Sequence, residues 1–437
     1  MADDFIRIFS LNCWGLKYVS KDRAERISAI CDFLAASQYD IVCLQELWIY
    51  RDYEAVKLAV ARRLGYAKFF YSGALGAGLA IFSRFPIIAA TIQPYSLNGS
   101  PADVKAGDWF VGKAAASVLI AHPVLGQVQV FNTHLFAKGG EGGPEYHRAH
   151  RLVNAWEFAK LAKQSAEIGR YVIAAGDFNS IPVTLPMTVI RDHAGLNDAW
   201  ESVHPSPDPA TSPSIDPKDA IAVYGVTADS PLNSYSAGKP LDSYARFAQG
   251  KRLDYILFRD PPHSRSGVAQ PTLMCLHARV VLTDLVPGCG FSYSDHFGLE
   301  ATLSIQHPEA KDHTPLADLA PEATTMVHAL RTCLRHSATR AGNEMTIFGS
   351  CLALDIFLIA AASIWRTIGL TSFFVLLGTI STWLGTTMLY VGFVYGRWEV
   401  NALQNVIEEL ELYVVSIDAV GSRELGAVDL YRSVSRV

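Results

Sequence analysis

Short apolar runs recur along the first two thirds of this chain, and each ends in, or leads directly into, a polar motif. These motifs are Ser10-Leu11-Asn12-Cys13-Trp14, Leu44-Gln45-Glu46, Asn132-Thr133-His134, Gly176-Asp177-Phe178-Asn179, Arg252-Leu253-Asp254-Tyr255 and Ser294-Asp295-His296. Runs of this length bounded by polar residues read as buried strands. Strands are expected at Phe5–Leu11, Asp40–Leu44, Leu79–Phe82, Ala114–Ile120, Val128–Phe131, Tyr171–Ala174, Leu253–Phe258, Ala278–Leu282 and Leu299–Ile305. Between them, Arg23–Leu34 carries Ile27, Ile30 and Leu34 at helical spacing, and Tyr146–Leu161 reads as a second helix. Two halves of similar strand content predict an α/β chain built as a two-sheet sandwich. The Pro-, Ser- and Asp-rich region 203–240 is expected to be a long surface excursion.

The composition is apolar for such a domain, with 50% hydrophobic and 18% charged residues. The excess lies near the C-terminus. Met345–Trp365 and Ile368 to about Gly396 are each long and apolar enough to cross a bilayer, and the connection around Arg366 and Thr367 is short. They read as a helical hairpin. Arg331, Arg335 and Arg340 before it and Arg397 after it put both flanks on the cytosolic side by the positive-inside rule. The expected organisation is a catalytic domain at 1–305, a linker and membrane approach at 306–343, the hairpin at 344–397 and an amphipathic cytosolic tail at 398–437. Met1-Ala2-Asp3-Asp4 has no apolar secretory region, and the seven cysteines show no metal or disulfide spacing, which favours a reducing compartment. A net charge of −5 argues against a broad basic nucleic-acid surface.

A gathered set of carboxylate, amide and imidazole side chains is what metal-assisted phosphodiester cleavage requires. Glu46, after a strand, reads as the principal metal ligand, and Asn12 either orients it or joins it on the metal. Asp177 and Asn179, one residue apart, face the same way on extended backbone and suit an attacking water and a phosphate oxygen. Asp254 can fix the tautomer of His296 and raise its basicity, making His296 the general base. His134 can donate to a non-bridging oxygen. His147, His150 and His193 have no such support and read as structural.

Gly107-Asp108-Trp109-Phe110-Val111-Gly112-Lys113 imitates a P-loop, but Ala114 replaces the metal-binding hydroxyl and two bulky aromatics obstruct the loop. Nucleotide hydrolysis is therefore rejected. Lys113 is instead expected to meet an anionic phosphate, with Asp108 controlling its position. Asp355, in the middle of the first apolar stretch, should face the partner helix.

Asn12, Glu46, His134, Asp177 with Asn179, Asp254 and Asp295-His296 together resemble the DNase I-like endonuclease/exonuclease/phosphatase superfamily. More narrowly, Asn12-Cys13-Trp14-Gly15, the Gly107–Lys113 loop and two C-terminal spans followed by Glu399-Val400-Asn401 are similar to the neutral sphingomyelinases and fungal inositol phosphosphingolipid phospholipases C.

That resemblance implies a four-layer α/β/β/α sandwich with a C-terminal transmembrane hairpin and Mg²⁺ at Glu46. It implies His296 as the water-activating base, with His134, Asp177 and Asn179 on the phosphoryl group and Asp295 on the leaving-group or metal side. A switch-like Asp108–Lys113 loop, activation by anionic phospholipids and residence in an endoplasmic reticulum or mitochondrial membrane are also implied. Ser180-Ile181-Pro182 with Leu185-Pro186, and Asp229–Asn233, look closer to fungal members and favour inositol phosphate head groups. Phe136 and the Gly-rich 139–143 segment depart from the pattern. A sphingomyelin-preferring enzyme and a non-catalytic lipid-binding tether are the alternatives. A nuclease should show basic, aromatic-laced loops, and inositol-polyphosphate phosphatases usually show Pro-x-Trp-Cys-Asp-Arg where this chain has Gly250–Asp254.

Overall fold

A computed structural model describes residues 4–104, 107–140, 142–204, 215–262, 270–306, 320–365 and 367–434. The chain divides into two compact units. The first comprises Met1–Asn98, Phe110–Gly143 and Asn154–Leu319; the second comprises Gly99–Trp109, Pro144–Val153 and Ala320–Val437.

The first unit contains strands β1 (Phe5–Asn12), β2 (Ile41–Gln45), β3 (Tyr66–Phe70), β4 (Leu79–Ser83), β5 (Ile87–Pro94) and β6 (Ala114–His122). These are followed by β7 (Gly126–His134), β8 (Tyr171–Asp177), β9 (Asn197–Asp198), β10 (Asp254–Arg259), β11 (Thr272–Val281) and β12 (Gly298–Gln306). One sheet has the order β11-β12-β1-β2-β4-β3 and the other β5-β6-β7-β8-β10-β9. Alternation along the strands decides how the layers stack. Ile6 and Ile8 of β1, with Ile41 and Cys43 of β2, meet Val118, Val130 and Ile173 of the second sheet in the central core. Phe9, Leu11, Val42 and Leu44 point the other way, onto Ile27, Ile30, Val56 and Val60 of helices Arg23–Ala36 and Tyr50–Val60. On the far side, Phe158 of helix Glu145–Glu167 stacks edge-on against Phe131 and Phe178. The result is the four-layer α/β/β/α sandwich.

Topology brings distant motifs to one place. β1 and β2 run parallel, so Asn12 ends beside Gln45. β7 and β8 also run parallel, placing His134 beside Asp177, while antiparallel β10 starts with Asp254 opposite that same Asp177. A buried polar seam joins the two sheets at this end. The Asn132 amide donates to the Leu44 and Ala80 carbonyls, 2.9 Å each, and its oxygen accepts from Gln45 at 2.8 Å.

The expected surface excursion at 203–240 is corrected in part. Residues 205–214 lie outside the described residues, but Thr227, Ser230 and Asn233 are buried. Their polar side chains look like loop composition, yet they satisfy backbone groups in the interior, as where Asn233 donates to the Ser294 carbonyl at 2.9 Å.

In the second unit, helix Ala320–Ile364 is followed by helix Ile368–Leu389, which runs through a π-helical segment, Tyr390–Tyr395, into helix Gly396–Val434. Two stretches, Pro321–Ile364 and Gly369–Ile417, are long and apolar enough to cross a membrane, and they form the candidate hairpin. Residues 307–319 of the expected linker, and Arg366 at the expected tip, lie outside the described residues. The tail's Leu403, Val406, Ile407 and Leu410 are buried, and Arg331 pairs with Glu411 across the two long helices at 2.6 Å. Glu399 is the polar hub of this unit. It accepts from Arg340, meets His150 Nε2 at 2.9 Å, and accepts from the Tyr395 hydroxyl at 3.2 Å. His150 Nδ1 in turn accepts from the Gly99 amide at 2.9 Å, so its role is structural, as expected. Further along the hairpin, Thr382 Oγ1 donates to Asp355 Oδ2 at 2.9 Å, so Asp355 does face the partner helix.

Truncating Asn132 to Ala removes a donor from two buried carbonyls and the shortest of the three contacts of the Gln45 side-chain nitrogen. It should destabilise the first unit by about 2–4 kcal/mol, read as a lower urea midpoint by tryptophan fluorescence. An unchanged midpoint would remove the seam from the account of stability.

Candidate active site

Asn12 lies at the centre. Its Oδ1 accepts from the Trp14 amide at 3.0 Å, and since a backbone N–H can only donate, the other side-chain atom must be the nitrogen. That nitrogen donates to Glu46 Oε1 at 3.1 Å and to Asp177 Oδ2 at 3.0 Å, joining one carboxylate from each sheet. Asn12 therefore presents a donor to Glu46 and has its oxygen engaged elsewhere. Glu46 takes the left-handed conformation, φ 53°, as does Asn179 at φ 47°. Such backbone is uncommon for residues with a side chain and clusters at functional sites. Beneath Asp177, Gly176 lies against β7 so closely that a Cβ would fall 2.1 Å from the Thr133 carbonyl oxygen.

The acidic groups are crowded. Burial, then the Asp295 charge, pushes the Glu46 carboxyl up to about 7. Burial pushes Asp177 up to about 6 against the opposing charge of His296. Asp295 is raised by burial as well. His296 Nδ1 is 2.8 Å from Asp254 Oδ2, while its Nε2 is 3.9 Å from Asp177 Oδ2. Burial works to lower the imidazole pKa, and Asp254 and Asp177 overcome it, holding it well above its ordinary value. His134 is the opposite case. Burial, then the neighbouring Lys113 cation, holds it well below the ordinary range. Lys113 Nζ lies 2.9 Å from His134 Nε2 and donates to the Leu135 carbonyl at 2.7 Å. An ammonium has no acceptor, so His134 Nε2 accepts and its proton sits on Nδ1, which is buried and has no partner among the described residues. Asn179 donates from its amide nitrogen to the same Leu135 carbonyl, 3.0 Å away, and its N–H donates to Asp177 Oδ1.

Two groupings suit a cation. Glu46 and Asp295 bring two raised carboxyls together, and one ligating atom from each of Asp177, Asp254 and His296 lies within 4.8 Å of the others. Concentrated carboxylate oxygen of this kind fits a hard divalent ion. Of the candidate residues, Asn12, Glu46, Lys113, His134, Asp177, Asn179, Asp254, Asp295 and His296 are thus joined by direct bonds or mutual electrostatics. Asp108, buried at the start of helix Asp108–Val111, belongs to the second unit.

Several supporting residues went unassigned in the sequence. Ser294 Oγ donates to the Asn12 carbonyl at 2.6 Å, fixing the segment that carries Asp295 and His296. Arg26 is fully buried and donates to the carbonyls of Cys13, Trp14, Lys21 and Tyr293. Its one signal is a charge beside Ile27 on the buried stripe of an amphipathic helix.

Residues 9–296 match the model of the Endonuclease/Exonuclease/phosphatase family, and the chain belongs to that family. Within it, the chain is 36% identical over 415 residues to "Inositol phosphosphingolipids phospholipase C" of Schizosaccharomyces pombe, covering 93% of each protein. It is 30% identical to the protein of the same name in Saccharomyces cerevisiae, over 93% of this chain and 89% of that one. Rat "Sphingomyelin phosphodiesterase 2" is 30% identical over 81% of this chain and 78% of its own length. Its branch of the family is that of the inositol phosphosphingolipid phospholipases C and neutral sphingomyelinases.

Replacing Arg26 with Met removes the donors that hold residues 13–21 and Tyr293. Trypsin should then cut at Lys17 and Lys21 at least several-fold faster, with a loss of about 2–4 kcal/mol in stability. Cleavage at the wild-type rate would show that the loop is held by other means.

Proposed function

We propose that this protein is a Mg²⁺-dependent phospholipase C that hydrolyses inositol phosphosphingolipids to ceramide and a phosphorylated head group. The likeness to the fission yeast phospholipase C across 93% of both chains carries the substrate assignment. The 2.8 Å contact between His296 and Asp254, beside the crowded carboxylates, supports the chemistry.

Glu46 would hold the cation, oriented by Asn12 and assisted by Asp295. When bound, Mg²⁺ supplies Lewis acidity to the phosphoryl and leaving oxygens and offsets the negative field that raises the His296 pKa. His296 Nε2 takes a proton from water as the water oxygen bonds to phosphorus, in line with the departing ceramide oxygen. Asp254 holds the resulting imidazolium. The phosphorus–oxygen bond to ceramide breaks, and the released oxygen takes a proton from solvent, with Asp295 assisting on the leaving-group or metal side. His134, Asp177 and Asn179 hold the phosphoryl group. Lys113, resting on His134 and the Leu135 carbonyl, is the cation that would turn to the substrate phosphate when anionic phospholipid engages the protein, with Asp108 governing its position. Arg331, Arg335, Arg340 and Arg397 support a cytosolic catalytic domain carried on a membrane hairpin.

A sphingomyelin preference is the second reading, favoured by the likeness to the rat sphingomyelin phosphodiesterase. Full-length protein offered inositol phosphoceramide and sphingomyelin in parallel mixed micelles should release ceramide faster from the inositol lipid, and only with Mg²⁺. Faster release from sphingomyelin selects the second reading, and release from neither rejects both. Glu46→Ala and His296→Ala should each lower turnover by at least about a thousandfold while the protein stays in the membrane fraction. A Glu46→Ala protein with full biological activity would support a non-catalytic tether. Asp254→Asn removes the charge that raises the His296 pKa, so the acidic limb of the kcat/KM profile should move to lower pH as turnover falls. An unmoved limb would assign that limb to another group.

A further inference from the structure

We infer that the edge of the first sheet around Asn12 and Glu46 is a docking rim for the surface of an anionic bilayer. The inference rests on the reading that the substrate is a membrane lipid. β1, β2 and β3 run in the same direction, since β2 is parallel to β1 and both β2 and β3 are antiparallel to β4. The loops that follow them therefore leave the same edge, the one that carries Asn12 and Glu46.

Each loop raises apolar or aromatic side chains into solvent. Tyr18 is 89% exposed and Val19 65% after β1, Tyr50 is 47% exposed after β2, and Tyr71 and Leu75 are 63% and 57% exposed after β3. These are not loose excursions. The Gly15 amide donates to the Glu46 carbonyl and the Leu47 amide to the Gly78 carbonyl, each at 2.9 Å, tying the three loops together. Tyr50, Phe69 and Tyr71 stack on one another with centroids 5.0–6.5 Å apart. Folding leaves these residues exposed on a rigid base.

Charge selects the occupant. Lys17, Lys21 and Arg51 stand exposed among these side chains, and none has an ion-pair partner among the described residues. Of the acidic neighbours, Asp52 pairs with Arg23 and Asp22 accepts from the Tyr235 hydroxyl, while the exposed Glu25 and Glu54 lie on the helices that follow the loops and not in the loops themselves. Tyrosines with a wet end, short aliphatic tips and long cationic side chains form the set that enters a lipid interface, where cations reach phosphates and aliphatic groups enter the acyl region. A rim beside Glu46 would bring a lipid phosphodiester to the site without lifting the whole lipid into water.

The test uses full-length protein reconstituted in vesicles of phosphatidylcholine and phosphatidylserine. With Cys31 and Cys289 changed to Ser, a bimane label at Leu75→Cys should be quenched by lipids brominated on the acyl chain. A label at Leu276→Cys, toward the opposite end of the same sheet, should not. Combined Tyr18→Ser, Val19→Ser and Leu75→Ser substitutions should lower kcat/KM about tenfold or more on vesicle substrate, with turnover of a dispersed short-chain analogue within about twofold of wild type. Lys17→Glu with Lys21→Glu should remove the advantage that phosphatidylserine gives. Equal quenching at both labels, or no quenching at Leu75 with normal vesicle turnover, overturns the rim and leaves the phospholipase reading intact. A quenched Leu75 label on a protein that releases no ceramide keeps the rim and overturns that reading.

Discussion

One amide nitrogen holds the site together. The Asn12 side chain stands between Glu46 of the first sheet and Asp177 of the second, donating to both, while its oxygen is held by the Trp14 backbone. Two buried carboxylates drawn together without a donor would repel each other and neutralise by taking up protons. With the amide between them they share one partner at a fixed separation. The neighbouring Gln45–Asn132 contact does the same for the backbone by giving the sheet ends one register relative to each other. The candidate site thus depends on a polar seam inside an otherwise apolar sandwich, where each hydrogen bond counts for more than it would in water.

Electrostatics then assigns the two imidazoles different states. His296 has carboxylates on both sides and is held toward its charged form, whereas His134 shares its Nε2 with Lys113 and is held neutral. The difference comes from neighbours, since both rings are withdrawn from solvent. A neutral ring that accepts from a cation and a charged ring set between anions thus stand in the same candidate site with opposite proton inventories.

Much of this was legible in the sequence because strand ends carry short motifs. Asn12, Glu46, His134, Asp177, Asp254 and His296 each lie at or just beyond a strand terminus, so apolar periodicity located them. The strands Tyr66–Phe70 and Ile87–Pro94 were missed. Tyr66–Phe70 is an edge strand with Lys68 at its centre, and Ile87–Pro94, also at an edge, has four exposed residues in succession, so neither gives a clean apolar run. The burial of Thr227, Ser230 and Asn233 was illegible for a different reason. Ser230 and Asn233 are turn formers in sequence, and only the fold shows the backbone groups they satisfy. Arg26 was hidden likewise, because a charge on a helix is normally at the surface and here it serves carbonyls in the interior.

The Asp355–Thr382 bond in the hairpin bears on how the protein reaches its membrane. A carboxyl at mid-span costs roughly 2.5–3.5 kcal/mol on insertion scales when its helix enters hydrocarbon unaided. The hydroxyl that relieves it lies on the following helix. The first span is therefore a poor anchor by itself and a good one once the second is beside it. In a bilayer the bond would favour the two helices entering side by side over either entering alone.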